Sequence, residues 1–146
     1  MENLYKERAI NRLYDEWLQH GKIIVAVDFD DTISPWRMHT WDHLALLGVA
    51  RVLSACQHTG IHLVCFTACN EDRYPEIKEV FKTLGLRLDA INQNPIDLPY
   101  GNNTKIYANI FLDDRAGLSE ALEILETALY RYRGYQQQQQ NLDDVA

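Results

Sequence analysis

Short apolar runs separated by longer amphipathic stretches form the main pattern of this chain. The run Ile23–Val27 is aliphatic throughout, and residues 61–66 and Ile110–Leu112 are also short and mainly apolar. A continuous apolar run of this length is typical of a strand buried on both faces of a parallel sheet. Residues 86–91 predict one further strand.

Helical periodicity fills the intervals around these strands. An amphipathic helix is predicted over residues 4–20, before the first strand. Further helices are predicted over residues 41–58, from about Pro75 to Gly85, and after Gly117. This alternation predicts an α/β fold with a single doubly wound, Rossmann-like parallel sheet.

The division of the chain follows from the same pattern. Residues 1–21 are expected to form a helix packed on the core, and residues 22–133 the main domain. Residues 92–104 predict a long loop because they contain prolines and a glycine. The glutamine run and acidic end predict a disordered tail over residues 134–146.

Carboxylates crowd the end of the first predicted strand, where Asp28, Asp30 and Asp31 follow Val27. In open α/β sheets, ligands bind at the carboxyl ends of the strands. Crowded carboxylates repel one another, so a fold tolerates them there when a cation or a reaction offsets the cost. A solvated acidic turn is the alternative interpretation.

Polar residues also follow the other predicted strands. Thr67 comes directly after residues 61–66, and Asp113 and Asp114 follow Ile110–Leu112. Lys105 precedes that last strand. These residues therefore define a candidate site at one edge of the sheet.

In this order, these residues resemble the four motifs of the haloacid dehalogenase (HAD) superfamily of phosphotransferases. The motifs read DFDDT at 28–32, FT at 66–67, Lys105, and FLDD at 111–114. The DxDxT motif is the most specific of them. The resemblance implies the strand order 3-2-1-4, with Asp28 and Asp113 on neighbouring strands. The intervals after the first two motifs are short, so no cap domain is expected.

The resemblance also implies roles in Mg²⁺-dependent hydrolysis of a phosphomonoester. Asp28 would be the nucleophile that forms an aspartyl-phosphate, and Asp30 the general acid and then the base. Asp28, Asp113 and the backbone carbonyl of Asp30 would hold Mg²⁺, with Asp114 acting through water or by orienting Lys105.

The phosphoryl group would have ligands of its own. Thr67 and the backbone N–H groups near Ala68 would hold its oxygens, and Lys105 would neutralise them. Thr32 is expected to fix the turn through its hydroxyl group, without contacting substrate.

Residues 83–117 resemble more closely a group of small capless HAD proteins from bacteria and phages, described as phosphatases or hydrolases. The matching positions are Asn92, Asn94, Lys105, Tyr107, Asp113, Asp114 and Arg115. Many of these relatives carry Thr-x-Arg in the second motif, where this chain has Thr67-Ala68-Cys69-Asn70 and so no arginine at that position. Any arginine at the site would then be Arg73. Asn109 replaces the usual Asp.

Substrate contacts are expected from the excursion after the nucleophile, which contains Trp36, Arg37 and His39. Arg73, Asn92 and Asn94 are further candidates for substrate contact. A surface loop fixed by aromatic packing is the alternative for the excursion.

Composition restricts the expected partners of the protein. The net charge of −7 disfavours non-specific binding to nucleic acid. An odd number of cysteines, three in 146 residues, is typical of reduced thiols in the cytoplasm. No apolar run is long enough to span a membrane, so no membrane partner is expected. A phosphorylated substrate of unknown class is the expected ligand.

Two other functions are compatible with these residues. A receiver-like signalling module also gathers acidic residues, a Thr and a Lys around Mg²⁺, but its acceptor Asp lacks a carboxylate two residues later. Asp30 therefore favours turnover of phosphate. A catalytically idle HAD domain kept for binding is the third possibility. A site without a cap favours either a bulky substrate or a lid from a neighbouring subunit, and hence a homo-oligomer.

Overall fold

The computed structural model describes residues 3–36, 43–99 and 106–145. The strands are β1 (Ile23–Val27), β2 (Ile61–Cys65), β3 (Ala90–Ile91) and β4 (Ile110–Leu112). The helices are α1 (Leu4–His20), α2 (His43–Thr59), α3 (Tyr74–Thr83) and α4 (Leu118–Val145). A short 3-10 helix, Glu71–Arg73, leads into α3.

The four strands form one parallel sheet in the order β3-β2-β1-β4, which confirms the predicted α/β fold and strand order. Val27 is paired with Cys65 on one side and with Leu112 on the other. The residues after these three positions therefore emerge together at one end of the sheet. In the described residues, no additional domain is inserted between the strands.

All five residues of β1 are buried, as the aliphatic run predicted. One cluster of buried side chains joins alternate residues of β1 and β2 to all four helices. Trp17 and Phe81 are among its largest fully buried members. Because this core fixes the strands rigidly, the loops at their carboxyl ends have a defined position.

Helix α1 begins and ends at local signals in the sequence. The side chain of Asn3 accepts a hydrogen bond from the Lys6 N–H at 3.0 Å, and Gly21 has a φ of 73°, a left-handed conformation that suits a helix C-terminus. The helix packs along α4, where Trp17 and Tyr132 stack with ring centroids 5.2 Å apart. It also reaches the start of β4, because Arg12 donates to the Asn109 carbonyl at 3.1 Å.

Strand β3 is shorter than the predicted strand over residues 86–91. The Leu86 N–H bonds to the Phe81 carbonyl, and the Arg87 N–H bonds to the Gln57 side chain. These two N–H groups are therefore not available to β2. Regular pairing is left to Ala90 and Ile91 alone.

The predicted disordered tail is wrong as a description of residues 134–145, because α4 continues through Gly134 to Val145. Glutamine is a good helix former, and extending an existing helix costs far less than nucleating one. Tyr135 stacks on Tyr132 with centroids 6.2 Å apart, which supports the first turn of the extension. Residues 136–145 are exposed.

No helix in the described ranges is both long and apolar enough to cross a membrane.

Candidate active site

The end of β1 turns sharply and presents its acidic residues on one side. The Phe29 side chain is fully buried, and its ring lies 6.3 Å from that of Phe81. Asp28 and Asp30, on either side of it, are half-buried and line an open cleft. The Phe29 carbonyl accepts the N–H groups of the tight turn that follows, from Thr32, Ile33 and Ser34.

Asp31 occupies the strained position of this turn, with a φ of 61°. Left-handed conformations favour glycine, and Asp and Asn are the side chains that tolerate them best. The Asp31 side chain accepts the Trp36 N–H at 2.7 Å, so the residue also fixes the segment that follows.

Asp28, Asp113 and Asp114 meet at the ends of β1 and β4. One carboxylate oxygen from each residue lies within 4.8 Å of the other two. The Asp28 N–H donates to the Leu112 carbonyl at 2.8 Å, which fixes the register of the two strand ends. A set of three carboxylate oxygens fits a hard divalent cation such as Mg²⁺. The Asp30 carboxylate is not in this cluster.

Thr32 connects the two acidic motifs from a fully buried position. Its hydroxyl group lies 3.1 Å from Asp28 Oδ2 and 3.3 Å from Asp114 Oδ1, and it accepts the Asp114 N–H at 3.1 Å. A hydroxyl group has one proton, so it donates to one of the two carboxylates at a time. The sequence assigned Thr32 to the turn alone, whereas the structure also connects it to Asp114.

The environment of Asp28 disfavours its charge. Burial is the main cause, and the negative charge of Asp113 adds to it; together they raise the pKa of Asp28 to about 7. The hydrogen bond from Thr32 acts in the opposite direction. A cation among the three carboxylates would offset this cost, which agrees with the donor set described above.

Asp30 has a different partner. Arg73 donates to both oxygens of its carboxylate, at 3.0 and 3.1 Å. The Arg73 guanidinium also lies 4.8 Å from the Trp36 ring centroid. Its hydrogen bonds to Asp30 raise the pKa of Arg73, so the side chain stays charged. Arg73 therefore lines the cleft and contacts the second carboxylate of the first motif. Its predicted contact with substrate remains a prediction.

Thr67 is fixed by Asn92. The Asn92 side chain accepts the Thr67 N–H at 2.8 Å and donates to the Thr67 carbonyl at 2.7 Å and to the Tyr74 hydroxyl at 3.0 Å. Asn92 has a φ of 54°, which asparagine tolerates. These bonds engage both ends of its carboxamide, so Asn92 positions the Thr67 loop. Its predicted contact with substrate remains a prediction.

Thr67 and Cys69, in the loop after β2, form hydrogen bonds with each other. The Thr67 hydroxyl accepts the Cys69 N–H at 3.2 Å and lies 3.2 Å from Cys69 Sγ. Ala68 is exposed between them and lines the cleft. A phosphoryl group at this loop would meet the Thr67 hydroxyl and the backbone around Ala68.

The structure describes some of the remaining predicted site residues and not others. Asn94 accepts the Tyr107 N–H at 3.1 Å and so supports the segment before β4. Trp36 is 60% exposed and lines the cleft. Lys105, Arg37 and His39 lie outside the described residues, and their roles remain predictions.

The cleft has a volume of about 570 Å³. Its lining adds Phe66, Cys69 and Arg115 to the residues that the sequence proposed for the site. Phe66 is part of the second motif and Arg115 directly follows the fourth, and this closeness in sequence was the available signal. A larger groove of about 790 Å³ along α3 contains none of the clustered carboxylates.

No family model, curated protein or solved structure matches this chain. The geometry of the site and the resemblance of its motifs are therefore what indicates a function.

Proposed function

We propose that this protein is a Mg²⁺-dependent phosphomonoester hydrolase of the HAD type. The observation that carries the proposal is the meeting of Asp28, Asp113 and Asp114 within 4.8 Å, where β1 and β4 end side by side. The Thr67 loop lines the same cleft. Cation ligands and groups suited to phosphoryl oxygens thus converge on one carboxylate, Asp28.

Asp28 would attack phosphorus and form an aspartyl-phosphate. Bound Mg²⁺ would supply positive charge that favours the ionised form of Asp28 and the charge developing on the phosphoryl oxygens. Asp113 and Asp114 would hold the ion together with Asp28. The Thr67 hydroxyl and the backbone around Ala68 would orient the phosphoryl group, with Lys105 as the predicted additional cation.

Asp30 would protonate the leaving oxygen and later activate water. Asp28 and Asp30 line one cleft, which supports a shared substrate. A receiver-like module would need only the carboxylate that accepts the phosphoryl group, Asp28, and not Asp30. In that alternative the phosphoprotein would be long-lived, whereas a phosphatase turns it over.

The first experiment measures hydrolysis of an aryl phosphate with Mg²⁺. Asp28→Asn keeps the size of the side chain but removes the nucleophile, so turnover should fall by on the order of 10³ or more. Asp143→Asn, at an exposed position in α4, is the matched control and should keep wild-type turnover. Activity that survives EDTA, or near-normal turnover by the Asp28 variant, would contradict the proposal.

The second experiment separates the two chemical steps. Asp30→Asn should still allow attack by Asp28 on a substrate with a good leaving group, and then stall before hydrolysis of the intermediate. Acid quenching followed by mass spectrometry should find phosphate on Asp28. A collapse of the steady-state rate without trapped phosphoprotein would refute this division of roles.

Location in the cytoplasm is part of this proposal. Cys56, Cys65 and Cys69 are free thiols, and the first two are buried. Free thiols are typical of a reducing compartment. The open cleft leaves room for a bulky leaving group or for a lid from a second copy of the chain, and the size of the protein in solution would separate these alternatives.

A further inference from the structure

Arg73 forms an ion pair with Asp30, the second carboxylate of the first motif. Arg73 Nη1 lies 3.0 Å from Asp30 Oδ2, and Nη2 lies 3.1 Å from Oδ1. A parallel, two-bond contact of this kind is among the stronger ion-pair geometries in proteins. It engages both oxygens of Asp30 with the same guanidinium.

Three further contacts hold Arg73 in this position. Its guanidinium lies 4.8 Å from the Trp36 ring centroid and 5.7 Å from that of Phe29. Its Nε lies 3.5 Å from Glu76. Trp36 is itself fixed by the bond from its N–H to Asp31. The side chain of Arg73 is nevertheless 24% exposed and lines the cleft, so it can be reached from the open side.

This geometry conflicts with the chemistry proposed for Asp30. A carboxylate that serves a leaving oxygen and then a water molecule must turn at least one oxygen toward them. Both oxygens of Asp30 instead face Arg73. A phosphoryl group bound to Asp28 also requires cations, and among the described residues that line the cleft these are Arg73 and Arg115.

We propose that Arg73 exchanges partners when a phosphorylated substrate enters the cleft. The guanidinium leaves Asp30 and binds the phosphoryl oxygens, and this movement frees Asp30 to face the leaving group. The inference rests on the proposed phosphatase function. In this proposal, Arg73 couples the binding of phosphate to the release of Asp30 for acid–base chemistry.

The exchange has a physical basis in the charge and shape of the ligands. A phosphate monoester presents two or more oxygens in a geometry that matches the guanidinium fork, as a carboxylate does. It carries more negative charge than the single carboxylate of Asp30. The attraction of the guanidinium to the Trp36 and Phe29 rings requires no hydrogen-bond partner, so it does not depend on the bonds to Asp30.

Solution NMR with inorganic phosphate and Mg²⁺ tests the exchange without catalysis. The reporters are the Arg73 side-chain N–H signals, assigned by their loss in Arg73→Lys, and the carboxyl carbon signal of Asp30. The Thr67 backbone amide reports separately whether phosphate occupies the cleft. We expect all three signals to shift with the same saturation curve.

Two other outcomes are each decisive. If the Thr67 amide responds while the Arg73 and Asp30 signals stay unchanged at saturation, the exchange is wrong and the phosphatase proposal stands. If none of the three signals responds, the cleft does not bind phosphate, and both proposals fall.

Variants of Arg73 and Arg115, the arginines that line the cleft among the described residues, provide a second measurement, the affinity for inorganic phosphate. Arg73→Ala should weaken binding by about tenfold or more, because it removes a two-bond contact. Arg73→Lys should recover only part of this loss, because an ammonium group restores the charge without the fork. Arg115→Ala is the matched control and should cost clearly less. Equal losses in Arg73→Ala and Arg115→Ala, or full recovery by Lys, would overturn the exchange.

Discussion

The Asn109 carboxamide forms two hydrogen bonds: its nitrogen donates to the Glu16 carboxylate at 2.7 Å, and its oxygen accepts the Ile24 N–H at 2.6 Å. The Asn109 side chain is buried, and it joins α1 to the beginnings of β1 and β4. Only an amide supplies both a donor and an acceptor of this shape. The Asp that the resembled proteins carry at this position would place its carboxylate against Glu16.

Asn109→Asp should therefore destabilise the protein by about 1–3 kcal/mol at neutral pH, because a buried donor is lost and two carboxylates meet. Urea denaturation gives this free energy of unfolding. The cost should shrink when Glu16→Gln is present in both proteins compared, since the glutamine side chain can donate to the new carboxylate. The exposed Asn11→Asp is the control. A cost that is the same with and without the Glu16→Gln substitution would contradict the argument.

Stability of the metal-free protein should depend on the ionisation of Asp28. Folding raises the pKa of this group from 3.8 to about 7. Its protonated form is thus favoured in the folded state, and the resulting stability is complete below about pH 4 and lost as the pH rises through 7. Asp28→Asn cannot ionise, so it should escape this loss.

In EDTA, the melting temperature of Asp28→Asn should exceed that of the wild type by about 2 °C or more at pH 8, and by less at pH 4. Circular dichroism melts across this pH range measure the difference. Asp143→Asn, at an exposed position, should show no such trend. A variant that gains nothing at pH 8 would show that burial does not disfavour the Asp28 charge.

Mg²⁺ should bind at a single site and raise the melting temperature. Removing one of three carboxylate ligands by Asp113→Asn should weaken the affinity by about tenfold or more. Asp97→Asn, in the exposed part of the loop before β4, is the control with the same change of charge. Isothermal titration calorimetry measures both. Equal affinities of the two variants would exclude Asp113 as a ligand.

Thr32→Val replaces the hydroxyl group of Thr32 with a methyl group of similar size, so it tests the contribution of the hydroxyl group alone. The variant leaves the Asp114 N–H without its acceptor and should lower the free energy of unfolding by about 1–3 kcal/mol. It should also weaken Mg²⁺ binding, because Asp28 and Asp114 lose their common hydrogen-bond partner. Thr32→Ser should retain the affinity. A Val variant with wild-type affinity would mean that the hydroxyl group serves the turn only.

Ending the chain after Tyr135 should change the free energy of unfolding by less than about 0.5 kcal/mol, since residues 136–145 are exposed. The helical signal in circular dichroism should fall with the removed residues. A large loss of stability would show that this part of α4 has a packing partner in solution.

The sequence by itself determined strands β1, β2 and β4, most helix ends and the positions of the acidic motifs. These features are local: the aliphatic run of β1 has to be buried, and Asp28 follows it directly along the chain. Pairing of β1 with β4 then brings Asp113 beside Asp28. The cluster of three carboxylates was predictable because parallel strand ends meet at one edge of the sheet.

Only the tertiary structure decided the partners of the polar side chains. Arg73 bonds Asp30, Asn92 fixes Thr67, and Asn109 joins α1 to the sheet. These pairs are far apart in sequence, and no local periodicity encodes them. The same holds for the end of α4, where composition predicted disorder. Packing of the earlier turns of α4 against α1 and α2 supplies the nucleus from which the glutamine run continues as helix, and packing is a property of the folded chain.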